Sequence, residues 1–132
     1  QAYSLFEEAK SIKGYPMSLN YTELARMYKE FPQNYLLFGV FREGILIAAS
    51  TSIIVNKNVI YDFYHGDTIS LRQKSPVVFL LKGLFEYARS QGIAILDQGI
   101  CSNRGIRNEG LCSFKKKMGG TISKKIIYEK DL

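Results

Sequence analysis

The apolar positions change period along the chain, and each change predicts an element. Between 4 and 13, Leu5, Ala9 and Ile12 recur at helical spacing and stop at Gly14 and Pro16, which predicts a short helix. Asn20 with Glu23 makes a capping-box pattern. Leu24, Met27, Tyr28 and Phe31 then share one face, and Pro32 ends this second helix. Beyond it, "YLLFGVFRE", "ILIAASTSIIV" and "NVIYDFYHG" are rich in branched and aromatic residues. Glu43-Gly44 and Asn56-Lys57-Asn58 separate them, so they read as a three-strand meander. In the third strand Tyr61, Phe63 and His65 alternate with Ile60, Asp62 and Tyr64, so one set is expected to line a groove and the other to meet covering helices.

After a polar connection over 67–74, Ser75 as cap and Pro76 in the first turn open a helix with an apolar face of Val77, Leu80, Leu81, Leu84 and Tyr87, stopped by Gly92. "IAIL" is a continuous apolar run of the kind found in interior strands, which predicts a central place in the sheet. Asn108 caps a last helix with Leu111, Phe114 and Met118 inward and Gly119 at its stop; "TISKKIIYE" reads as a final strand. The expected class is α/β (α+β), with a mixed, mostly antiparallel sheet and helices on both faces.

Composition narrows the class further. A chain of 132 residues with 46% hydrophobic and 23% charged residues is ordinary for one globular domain, and no apolar run approaches the length of a membrane span. Cys101 and Cys112 share no C-x-x-C spacing and accompany a single histidine, so neither a zinc site nor a disulfide framework is indicated. Reduced thiols in the cytoplasm are the expectation, with no metal. "QAYSLFEEAK" lacks the basic start and apolar centre of an export signal. Of the net charge of +6, residues 101–132 carry +5, from eight Lys or Arg against three acids. A positive field so placed suits nucleotide or RNA phosphates, and equally a solvated lysine-rich surface.

The order of helix, helix, meander, helix, strand, helix and strand resembles the GCN5-related N-acetyltransferase (GNAT) fold. Asn108, Leu111, Phe114, Lys115 and Gly119 fall in the register of that superfamily's fourth-helix pattern, with Lys115 where many members have a tyrosine. "SPVVFLLKGLFEYARSQGIAILDQGICS" and "NEGLCSFKKKMGG" are similar to runs of the FemAB-like branch. The resemblance covers about 17–128 and is most specific over 93–120. "DTISLRQKSPVVF" lacks the glycine-rich pyrophosphate loop of many GNAT enzymes.

The resemblance implies one GNAT-like domain over 1–132, with an N-terminal helix and linker at 1–16 and a core at 17–132, of bacterial type. It further implies the C-terminal half of a longer protein, with a second GNAT-like half or a homodimer as possible pairing. The activity implied is transfer of an acyl or aminoacyl group from acyl-CoA or aminoacyl-tRNA to a small-molecule or peptide amine. A non-catalytic module that binds RNA or an anionic partner through the basic C-terminal quarter is the alternative.

For the reaction, Asp97 at a strand end either orients the amine and takes its proton or caps its own loop. His65 is the single histidine, the residue type suited to proton transfer near neutral pH; a structural role is its other reading. Gly99 and Ser102 leave room and donors for a carbonyl or phosphate, or form a plain turn. Asn108 and Glu109 open a helix whose free amides suit an oxyanion, and Lys115 suits a phosphate or carboxylate at the donor's far end.

Overall fold

The computed structural model describes residues 1–103, 105–126 and 128–131. They form two compact units, Gln1–Gly99 and Ile100–Leu132.

In the first unit, α1 (Ala2–Ser11) and α2 (Tyr21–Glu30) precede β1 (Tyr35–Arg42), β2 (Ile45–Asn56) and β3 (Val59–Asp67). A 3-10 helix (Ile69–Lys74), α3 (Pro76–Ser90) and β4 (Ile95–Asp97) complete it. The capping box forms as expected. The Asn20 amide donates to the Glu23 carboxylate at 2.7 Å, and the Glu23 amide donates to the Asn20 side chain at 2.9 Å. Glu43 and Gly44 both take positive φ, 51° and 78°, which fits the tight turn that joins β1 to β2 antiparallel.

The strand order is β1-β2-β3-β4, with the first three antiparallel and β4 parallel to β3. Each face of this sheet carries helices. Phe6 of α1 and Leu24 of α2 pack with Ala49 and Tyr64 on one side, whereas Leu84 and Ala88 of α3 pack with Ile60, Leu36, Phe38 and Ile54 on the other. Each such fully buried Leu or Phe contributes about 1.5–3 kcal/mol. At Gly66, α1 lies so close that a Cβ would fall on the Leu5 carbonyl, and only glycine fits.

Three expectations are corrected here. "IAIL" is not central: among the described residues β4 is an edge strand of three residues, with Ile95 54% exposed, so an apolar run alone did not report burial on both faces. Ser75 does not cap α3 through its side chain. Its φ of 53° ends the 3-10 helix in the left-handed region, and Pro76 starts the next helix without a donor to satisfy. The strand expected from "TISKKIIYE" is absent from the described residues 121–126 and 128–129, because strand propensity becomes structure only against a partner; Ile127 lies outside the described residues.

The second unit holds a two-stranded ribbon, β5 (Ser102–Asn103) with β6 (Ile106–Arg107), and α4 (Glu109–Lys117). Asn108 caps α4 by accepting from the Leu111 amide at 2.9 Å, and Gly119 takes φ 87° at its end. The expectation of free thiols is overturned: Cys101 and Cys112 form a disulfide with a Cα–Cα distance of 5.2 Å. The ribbon folds the chain back so that the first turns of α4 meet the start of the loop, where the Asn108 amide also donates to the Cys101 carbonyl at 2.9 Å. With the thiols paired, they no longer argue for a cytoplasmic location. Cys112 is the one buried residue described in α4, so the cystine itself serves as the packing centre there. No helix among the described residues is long and apolar enough to cross a membrane.

Candidate active site

The strongest concentration of chemistry lies where β3 breaks its own alternation. Thr51 pairs with Tyr64 but Ser52 pairs with Asp62, so Phe63 is an extra residue with no partner across the ladder, a β-bulge. Before the bulge, Ile60 and Asp62 face α3. After it, Tyr64 faces α1 and α2, and His65, opposite Ser50, returns to the side of Asp62. The alternation expected from sequence, with His65 opposite in face to Asp62, is therefore corrected: one inserted residue reset the phase.

The bulge thus gathers four polar side chains on one face. The Asp62 carboxylate, 1% exposed as a side chain, accepts from the Ser50 hydroxyl at 2.6 Å and meets His65 Nδ1 at 2.8 Å. Ser50 and Ser52 hydroxyls lie 3.1 Å apart, and both residues are wholly buried. A buried carboxylate requires such partners, since an unpaired one would cost several kcal/mol. The imidazole is held through Nδ1, and its side chain is 26% exposed, so Nε2 is the nitrogen left for chemistry.

The neighbouring strand leaves room beside this group. β3 and β4 pair only at Val59–Ile95, Ile60–Leu96 and Tyr61–Asp97, so Asp62–Asp67 of β3 run on without β4. At the point of parting, the Gly99 amide donates to Asp97 Oδ1 at 2.8 Å. Gly99 takes φ 72°, and a Cβ there would stand 3.3 Å from the Tyr61 ring. The left-handed φ favours glycine, and an added Cβ would make a tight contact with that ring.

At the far end of β3, Asp67 is 7% exposed as a side chain and holds Arg72 through two bonds, of 2.9 Å and 3.2 Å. The hydrogen bond to Asp67, more than its charge, raises the Arg72 guanidinium above its ordinary pKa. Arg72 is about half exposed and stands with Lys74 in the 3-10 helix just ahead of α3. This places a fixed cation where the glycine-rich loop is missing. Two surface depressions, of about 510 and 310 Å3, lie elsewhere; neither is lined by Asp62 or His65, and the site is recognised by its chemistry rather than by concavity.

Of the residues singled out from sequence, His65, Asp97 and Gly99 belong to the first unit; Asp97 and Gly99 lie at the parting of β3 and β4, and His65 lies four residues beyond it along β3. Ser102, Asn108, Glu109 and Lys115 belong to the second. There Ser102 is exposed on β5, Asn108 caps α4, Glu109 pairs with Arg107 at 3.1 Å, and Lys115 Nζ donates to the Ile100 carbonyl at 2.8 Å. Sequence reasoning missed Asp62, Ser50, Ser52 and Arg72. A signal existed for Asp62, an acid inside an otherwise apolar and aromatic strand, with a histidine three residues on.

No protein-family model and no curated protein sequence matches the chain. Solved structures do. Aminoglycoside N-acetyltransferase AAC(6')-Iy, in complex with the bisubstrate analog CoA-S-monomethyl-acetylneamine, superposes with a TM-score of 0.71 at 15% identity over 98% of this chain and 88% of that one. An aminoglycoside acetyltransferase from an uncultured soil metagenomic sample, in complex with sisomicin, gives 0.68 at 12% identity over 99% and 85%. An acetyltransferase of Trypanosoma brucei gives 0.61 at 18% over 99% and 93%. At these identities the likeness shows the fold: a GNAT-like mixed sheet, mostly antiparallel and flanked by helices, as the order of elements led one to expect.

Proposed function

We propose that this chain is an N-acyltransferase that passes an acyl group from an acyl-CoA thioester to an amine, with His65 as the proton acceptor and Asp62 as its anchor. The observation that carries the reading is the buried Ser50–Asp62–His65 chain beside the half of β3 that β4 leaves unpaired. In support, the fold is shared with acetyltransferases, one of them solved with CoA.

The chemistry follows from the geometry. An amine at neutral pH arrives protonated and must lose a proton to attack. Nε2 of His65 accepts it, and the buried Asp62 carboxylate, bonded to Nδ1, stabilises the resulting imidazolium. The nitrogen lone pair then forms the C–N bond, the C–S bond breaks with its electron pair on sulfur, the imidazolium proton passes to the thiolate, and the nitrogen's remaining surplus proton leaves through the freed Nε2 to water, which gives the neutral amide and the thiol. Arg72, held by Asp67, supplies a preformed charge for the donor's phosphates and takes over the work of the absent glycines. Asp97 acts by fixing the turn at the strand end, which keeps the approach beside Tyr61 open.

Finer assignments stand on sequence resemblance. On the motifs at 75–102 and 108–120 we place the chain in the FemAB-like branch, which makes aminoacyl-tRNA the alternative donor and a second GNAT-like half, or a second copy, a possible partner. In the second unit, Ser102, Asn108, Glu109 and Lys115 are proposed contributors to anion binding. Saturable binding and turnover with acetyl-CoA and a panel of primary amines test the proposal. Binding of aminoacyl-tRNA, with no response to acetyl-CoA, would replace the donor; no transfer from either would overturn the activity.

A further inference from the structure

We propose that Ser50 is a positioning residue, whose hydroxyl draws the Asp62 carboxylate along the sheet to His65 and so fixes which ring nitrogen carries the proton. Across the β2–β3 ladder Asp62 stands opposite Ser52, and His65 stands opposite Ser50. Directly opposed side chains are the nearest pairs on a sheet face, so Ser52 is the expected partner of Asp62. The bond runs elsewhere. Asp62 Oδ1 accepts from Ser50, the diagonal neighbour, at 2.6 Å, and Oδ2 meets His65 Nδ1 at 2.8 Å. The bulge at Phe63 shapes that reach, because the three steps of β3 from Asp62 to His65 lie against only two steps of β2, from Ser52 to Ser50.

The direction of each bond follows from what the groups can give. A carboxylate only accepts, so the one hydroxyl proton of Ser50 points to Asp62. The Ser50 and Ser52 oxygens are 3.1 Å apart, and with the Ser50 proton committed, Ser52 is the donor between them. Ser52 is thereby turned from the carboxylate it faces and leaves it to Ser50. Both serines are wholly buried, so bulk water does not compete for either hydroxyl. At the other oxygen of Asp62 the same rule makes Nδ1 the donor, and Nε2 of the neutral ring becomes the acceptor that the proposed proton transfer uses. Without the Ser50 hydroxyl, the donor left to Asp62 on β2 is Ser52, on the side away from the ring, and this tautomer loses its support. The inference rests on the proposed role of His65, but its first readout needs no turnover.

The test is the tautomer of His65, read by long-range proton–nitrogen correlation NMR of the neutral ring in isotope-labelled protein. The parent is expected to carry the ring proton on Nδ1; a parent with it on Nε2 overturns the inference before any substitution is made. Ser50→Ala is expected to shift the proton towards Nε2. Ser52→Ala, which removes an equally buried hydroxyl from the same strand, is expected to leave it on Nδ1. Ser50→Cys, close in size but a weaker donor, should fall between Ser50→Ala and the parent, and it serves in place of Ser50→Ala if that variant does not fold. With acetyl-CoA and one primary amine, Ser50→Ala should lower kcat by about tenfold or more, a part of what a general base supplies, with KM for the thioester little changed. Ser52→Ala should lose less. Equal effects at the two positions, on tautomer or on rate, mean that the hydroxyls serve packing alone and overturn the inference. A parent with the Nδ1 tautomer and no turnover removes the proposed activity, and the tautomers of the variants then decide this inference by themselves.

Discussion

Substitution of Asp62 separates what the buried polar chain does for the fold from what it does for chemistry. Asp62→Ala removes the acceptor of both the Ser50 hydroxyl and the His65 ring, at 2.6 and 2.8 Å, and leaves a void where the side chain was 1% exposed. Breaking a buried, hydrogen-bonded pair from one side costs about 3–5 kcal/mol, a large part of a small domain's stability. Asp62→Asn keeps the volume. Its carbonyl can accept from His65 Nδ1 while its amide donates to Ser50, whose hydroxyl can reverse its role, so the loss should be nearer 1 kcal/mol. What Asn cannot supply is the negative charge, and turnover should fall by about 10²–10⁴-fold. Urea titration gives the stabilities and thiol release from acetyl-CoA the rates. The reasoning is refuted if Asn unfolds the protein as severely as Ala, or if a folded Asn variant turns over as fast as the parent.

Gly66→Ala must push α1 from the sheet, because the new Cβ meets backbone at Leu5; thermal unfolding should register a loss of about 1–3 kcal/mol or more. Reduction of Cys101–Cys112 should cost its unit about 3 kcal/mol, as expected of a loop of this size, and speed amide exchange across α4 selectively. Arg72→Gln should raise KM for the thioester with little change in kcat, and the difference should shrink at high salt. For pH, Lys10 is lowered in the folded state, so the unfolded chain binds more protons in the window between the folded value and the ordinary one near 10.4. The parent should therefore gain stability over Lys10→Met as pH rises through that window.

Local signals in the sequence carried the fold a long way. Asn20 with Glu23 and Asn108 are caps whose bonds close within three residues, and Glu43-Gly44 is a turn set by its own dihedrals. Features that depend on distant segments were not legible. The bulge at Phe63 arises from pairing with β2, and no residue in "DFYHG" announces it. A count of two per repeat therefore set His65 and Asp62 on opposite faces, and the site stayed hidden although both of its titrating members were in view. Likewise "IAIL" showed that β4 is apolar, but its place at the edge depends on what lies beside it. The cystine required the β5–β6 ribbon to bring two cysteines eleven residues apart into contact.

The central claim is that His65, anchored by Asp62, takes the acceptor's proton. The most direct measurement is the pH dependence of kcat/KM for acetyl transfer to one primary amine by the parent and by His65→Gln, with CoA affinity measured alongside. The account predicts that the variant binds CoA as the parent does, loses about 10²-fold or more in rate, and loses the acid limb of the profile. A variant with the parent's rate and an unchanged acid limb would contradict it.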